Sequence, residues 1–209
     1  MLTAILIISC SKNNENNEPE NNLTAAISFE DITFDTTYAY FSTNGNMTAP
    51  VDSNQAKTKV NEIDITYIYN QTYAAPGFFD PIARSQHWAW DTYYLPWLNS
   101  AVETRYYSTG LTKTQFDEAK TDETKIADYF SDTSTVILAP HAIFPEGSCI
   151  GGKLSNNPSS IVLIKGKVYG FINTGSGKRG FLYIRTDQPS GWPNPLIGFI
   201  TKVDIIREN

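Results

Sequence analysis

Short runs of β-branched and aromatic residues, cut by turn residues, fill the last third of this chain. Ser160 to Ile164, Lys167 to Asn173, Gly180 to Thr186 and Leu196 to Arg207 are rich in Val, Ile, Phe and Tyr and read as the strands of a meander. In the last of them Phe199, Thr201, Val203 and Ile205 share one face, and Ile200, Lys202, Asp204 and Ile206 share the other. A sheet with one wetter face follows, and antiparallel pairing suits such a sheet better than a doubly covered parallel one. Earlier, Ile63 to Tyr69 alternates as well, with Ile63, Ile65, Tyr67 and Tyr69 on one face. Ala26 to Phe29 and Thr37 to Ser42 are shorter strand candidates, and a loop rich in Asn, Gly, Pro and Thr runs from Thr43 to Ser53. The 12 Tyr, 11 Phe and 4 Trp among 209 residues push the same way, since rings favour strands and contribute large buried areas.

Two short helices interrupt this pattern in the middle third. Thr112 followed by Gln115 fits a capping box, with Phe116 and Ala119 on a common face, so a helix is expected from about Lys113 to Lys120. Asp122 is placed to cap a second, in which Ile126, Ala127 and Phe130 fall on one side. Neither is long enough to stand alone, so each must pack on a sheet. The expected fold is α+β, predominantly antiparallel β, as a sandwich or meander sheet with two short helices, in a single domain over residues 23–209.

The N-terminus has a different character. Leu2 to Ile8 is apolar but far too short for a bilayer, which needs about 20 residues. It has the length of a signal-peptide h-region, and Ser9-Cys10 follows. With a small residue before the cysteine, residues 1–9 look like a bacterial lipoprotein signal, truncated because it has no basic residue ahead of the apolar run. In that class Cys10 is acylated and becomes the mature N-terminus. Residues 10–22 are then the lipidated cysteine and a flexible polar tether. Beyond it, the order of Ile63 to Tyr69, Thr104 to Asp117, Gly166 to Thr174 and Lys178 to Ile184 resembles uncharacterised Bacteroidetes envelope lipoproteins. The resemblance implies a lipid-anchored envelope location, in the outer membrane and facing outward, and no established activity. Lys12, Glu15, Glu18 and Glu20 behind Cys10 resemble the export signals of such surface lipoproteins, and Asp35-Thr36-Thr37 resembles their O-glycosylation sequon.

Net charge is −6 with no basic stripe, which excludes nucleic acid as a natural partner. If Cys10 carries lipid, Cys149 has no disulfide partner and stability rests on the core; without lipidation the two could pair. Three of the four tryptophans stand within His87-Trp88-Ala89-Trp90-Asp91-Thr92-Tyr93-Tyr94-Leu95-Pro96-Trp97. Exposed rings stack on the apolar faces of sugars, and on a strand Trp88 and Trp90 share a face, so Trp88, Trp90 and Tyr93 are the candidate ligand contacts. The alternative is that these rings plug the end of a sandwich.

Other constellations fall short of a chemistry. His87, His141 and Cys149 with Asp91 or Glu146 lack metal-ligand spacing, so no metal is expected. A Cys149–His141 nucleophile has no supporting motif. Gly175-Ser176-Gly177-Lys178-Arg179-Gly180 fails the phosphate-loop pattern at Ile172 and Arg179 and reads as a hairpin turn with positive-φ glycines. No catalytic residue and no cofactor is read from the sequence, and enzyme activity is not the favoured reading. The expectation is a binding or structural accessory tethered to the envelope membrane, with a glycan or an envelope protein as partner. Two readings compete with it: a hydrolase of envelope or dietary polymers drawing its acid and base from the 22 carboxylates, and a subunit of an envelope assembly.

Overall fold

The computed structural model describes residues 23–70, 75–85, 94–131, 142–144, 160–162, 164–187 and 200–209. The strands are β1 (Ile27–Phe34), β2 (Tyr40–Phe41), β3 (Ile65–Asn70), β4 (Ala75–Phe79), β5 (Thr104–Ser108), β6 (Ala142–Phe144), β7 (Ser160–Val162), β8 (Val168–Asn173), β9 (Arg179–Ile184) and β10 (Thr201–Arg207). Among the described residues four α-helices join them: α1 (Ser53–Thr58), α2 (Pro81–Arg84), α3 (Lys113–Thr121) and α4 (Thr124–Tyr129). The strands form two five-stranded sheets, ordered β1-β10-β9-β8-β5 and β2-β3-β4-β6-β7. Every pairing except β6 with β7 is antiparallel, so the fold is α+β with predominantly antiparallel β.

The two sheets face each other across an aromatic core. Phe34 stands edge-on to Phe41 and Phe78 and tilts against Tyr67, and Tyr106, Tyr169, Phe171, Leu182, Val203 and Ile205 complete the layer. Alternation along β8 and β9 sends every second residue the other way, so Val168, Ile172, Phe181 and Tyr183 meet Phe116 and Ala119 of α3, Ile126 of α4, and Phe130 just after it. Along β8 and β9 the first sheet is therefore covered on both faces. All six residues of β8 are buried. The expected wetter face survives on β10, where Lys202 and Asp204 stay partly exposed, whereas along β8 and β9 the two helices cover it.

The meander is β8-β9-β10, which pairs in consecutive order. Ser160–Val162, expected as its first strand, instead joins the second sheet parallel to β6. The alternating segment behaves as read on one face, with Ile63, Ile65 and Tyr67 at 2% exposure or less. Its polar face is buried too: Asp64 and Thr66 are both at 0%. Thr37 to Ser42 contributes only Tyr40–Phe41, and the loop before Ser53 closes on Asp52, whose carboxylate caps α1.

The helix starts are locally encoded. Thr112 and Gln115 form the reciprocal capping box, and Phe116 and Ala119 are buried as their spacing requires. Asp122 ends α3, and its carboxylate also accepts from the Thr124 amide at 3.2 Å and the Thr124 hydroxyl at 2.6 Å, so α4 begins slightly later than expected.

Candidate functional site

At one end of the sandwich the apolar core gives way to a buried polar knot. Asp64, where the chain enters β3, accepts from the Thr43 amide at 3.0 Å and from the Thr43 hydroxyl. The side-chain amides of Asn44 and Asn173 each reach its Oδ2 at 3.0 Å. The Thr104 hydroxyl stands 2.6 Å from the Asp64 carbonyl and 2.9 Å from Asn173 Oδ1. Arg207, at the end of β10, donates from Nε to the Thr43 carbonyl at 3.0 Å. Burial drives the Asp64 carboxyl up to about 6, against the Thr43 and Asn173 donors and the Arg207 charge that pull it down. Burial likewise lowers Arg207, and it raises the Tyr106 hydroxyl, with the charges of Asp64 and Asp80 adding to the rise.

Asp80 is the second buried carboxylate. It caps α2 by accepting from the Ile82 amide at 3.0 Å and ties α2 to β5 by accepting from the Thr104 amide at 3.1 Å. Both acids are at 0% exposure. General acid–base work needs a carboxyl within reach of substrate, whereas these two are shut from solvent and engaged by donors of the protein itself. Their role in this arrangement is to hold strand ends together.

Just outside the knot lies an open groove of about 450 Å³. Ile82, Ala101 and Val102 supply its apolar lining, and Glu103, Thr174 and Ser176 its polar edge. Glu103 is fixed from two sides: Arg105 donates to Oε1 from Nε at 3.0 Å and Nη2 at 2.7 Å, and the Thr174 hydroxyl donates to Oε2 at 2.8 Å. The facing wall is the β8–β9 turn, closed by Gly177, whose φ of +70° places it in the left-handed region that glycine tolerates. This is the segment read as a hairpin turn. Gly180 serves differently, since an added Cβ there would meet the Phe171 ring and the Ile206 carbonyl.

Ile82 and Ala101 of the groove lie before and after the tryptophan-rich segment in the chain. Trp88, Trp90 and Tyr93, the candidate contacts, lie outside the described residues, as do Cys10, His87, Asp91, His141, Glu146 and Cys149. Both flanks of the segment are described. The Leu95 amide donates to the Arg84 carbonyl at 2.6 Å, pinning the end of α2 to the returning chain. Trp97 then packs on Tyr40, ring centroids 5.2 Å apart, with the Lys57 ammonium 5.7 Å from its ring. Arg84 lies over the Tyr40 ring at 5.7 Å. The third tryptophan of the cluster is thus an anchor on the core.

Among the described residues no group of three or more His, Cys, Asp or Glu side chains is placed to hold a metal ion. No described helix is long and apolar enough to cross a membrane.

No protein-family model matches the sequence, and no curated protein matches it. Among solved structures the fold is similar to a DUF4466 family protein from Parabacteroides merdae, with a TM-score of 0.52 and 12% identity. The match covers 88% of this chain and 54% of that one, so the chain spans about half the length of its structural neighbour. The likeness is one of fold, and it places a Bacteroidetes protein beside the chain that the sequence compared with Bacteroidetes proteins.

The polar knot was not singled out in the sequence. Asp64 and Thr66 there are simply the polar members of an alternating run, and Asn173, Thr104 and Arg207 end strands far away along the chain. The one local sign was Asp64 itself, a carboxylate between Ile63 and Ile65 that no further charge follows until Asp80.

Proposed function

We propose that the protein is a binding or structural accessory, held to a bacterial envelope membrane by lipid on Cys10, that presents an aromatic loop to a glycan. The observation that carries this reading is how the chain is fixed on either side of residues 86–93. The loop is pinned at Arg84 and Leu95, while Trp97 spends its ring on Tyr40. Flanking residues fixed in this way lower the ordering cost of binding through rings between them, which supports Trp88, Trp90 and Tyr93 as the contacts. On this reading the mechanism is presentation, with the knot at Asp64 and Asp80 keeping the scaffold stiff.

The tether fits the same picture. Thr24 to Ala26 bond to the α3–α4 junction, through the Ala26 amide to the Lys120 carbonyl at 3.1 Å and the Glu123 amide to the Thr24 carbonyl at 2.9 Å. A polar segment from Cys10 to Asn22 reaches at most about 45 Å when extended. Stable anchoring by such a segment takes more than one acyl chain.

The test is a thermal-shift screen against polysaccharides and oligosaccharides, with mass spectrometry of Cys10 in membrane extracts. A ligand-induced rise in melting that vanishes in Trp88→Ala or Trp90→Ala, with unliganded melting kept, is the expected result. Unacylated Cys10, or no shift with any glycan, would refute the corresponding half of the reading.

A further inference from the structure

We infer that the groove between α2, the residues leading into β5 and the β8–β9 turn is a subsite for a neutral oligosaccharide, continuing the aromatic contact proposed above and resting on that reading. Continuity comes from the chain. Ile82 belongs to α2, which leads into the aromatic loop, and Ala101 closes the turn that leads out of it. One wall of the groove is therefore built from the loop's own stem. Its volume of about 450 Å³ falls within the roughly 300–1,000 Å³ usual for small-ligand sites.

The lining selects the ligand class. Ile82, Ala101 and Val102 offer a surface for the C–H face of a sugar ring, while Thr174 and Ser176 offer hydroxyls at the edge. Glu103 presents a carboxylate whose side chain is 34% exposed and whose orientation is set by Arg105 and Thr174. A carboxylate fixed in this way is a strong acceptor for hydroxyl groups. Arg105 pairs with its charge, and among the described residues no other ionised side chain lines the groove. Among the described residues of the groove an anionic ligand finds no cation of its own, and a cationic ligand must compete with Arg105. An uncharged molecule with one apolar face and many hydroxyls matches both surfaces.

The experiment is an NMR titration of the full chain with neutral xylo-, manno- and gluco-oligosaccharides, alongside a uronic-acid oligomer and an uncharged peptide. The expected result is a neutral sugar that shifts the amides of Val102, Glu103 and Thr174 to Ser176. Glu103→Gln then weakens binding about tenfold or more, the size expected for a charge-assisted hydrogen bond. Ser176→Trp, at an exposed turn position, blocks the groove and abolishes those shifts with melting unchanged. Suppose instead that Trp88→Ala removes binding while Glu103→Gln and Ser176→Trp leave the affinity intact and the groove amides unmoved. The groove is then no subsite, although the aromatic reading survives. Binding of the uronic-acid oligomer or the peptide in the groove in preference to neutral sugars overturns the ligand class. Absence of titration in every arm overturns both readings together.

Discussion

Asp64 concentrates the cost and the benefit of burying a charge. It gathers donors from Thr43, Asn44 and Asn173 and faces the Arg207 charge, so truncation leaves several donors without their acceptor and one buried cation without its counter-charge. Asp64→Ala should lower unfolding free energy by about 3–5 kcal/mol in urea denaturation. The same carboxyl predicts a pH dependence. Its folded value of about 6 lies above the ordinary 3.8, so between those values the folded protein holds a proton that the unfolded chain has released. The Asp64 contribution is fully present below about pH 4, falls as pH rises to about 6, and is flat beyond, with an amplitude on the order of 3 kcal/mol. Stability measured from pH 4.5 to 7.5 for the wild type minus Asp64→Asn should show this fall; parallel curves would rule it out. Gly170 presents a purely steric case. Tyr107 pairs opposite it and lays its ring over the bare Cα, and an added Cβ would stand 2.6 Å from ring carbon Cε2. Gly170→Ala should therefore cost about 1–3 kcal/mol through displacement of Tyr107.

At the scale of elements, α3 shows how a local signal and a distant surface cooperate. The capping box sets where the helix starts, with the Thr112 amide donating to Gln115 Oε1 at 2.9 Å and the Gln115 amide to Thr112 Oγ1 at 3.3 Å. Thr112→Ala should cost about 1 kcal/mol. Phe116, at 1% exposure, holds the helix on the first sheet, and Phe116→Ala should cost about 3–5 kcal/mol. The larger loss at Phe116, measured by chemical denaturation of both variants, would establish that docking outweighs capping. The start of α3 was readable because its capping box acts over three residues, whereas α4 begins at Thr124 behind Glu123, which makes no side-chain cap, rather than at the cap read at Asp122. That α3 and α4 cover the first sheet was not readable, since the apolar outer faces of β8 and β9 match an antiparallel strand as well as a doubly covered one. Assignment of Ser160–Val162 to the second sheet was equally hidden: its three residues carry strand propensity but no mark of their neighbour.

For the whole molecule, the tryptophan cluster divides between scaffold and proposed contact. Trp97 packs on Tyr40 under Lys57, so Trp97→Ala should lower the melting temperature, with a loss of about 2–3 kcal/mol for a half-buried ring. Trp88→Ala and Trp90→Ala should leave melting nearly unchanged, and equal losses at all three positions would place the loop in the core. The sandwich that carries this loop owes its polar end to residues far apart in the chain: Asn173 reaches Asp64 across 109 positions and Arg207 reaches Thr43 across 164. Sequence by itself determined the strand-rich α+β class, the β8-β9-β10 meander, the two short helices with the capping box of α3, and the hairpin turn at Gly177, because periodicity, capping and turn chemistry are interactions among near neighbours. Only the tertiary structure decided that the polar face of the Ile63–Tyr69 strand is buried, that Asp64 and Asp80 knot the sheet ends, and that Glu103 meets Thr174 across a groove. Those outcomes depend on which distant side chains fill the remaining volume and satisfy each buried donor and acceptor, a condition that no local stretch of sequence contains.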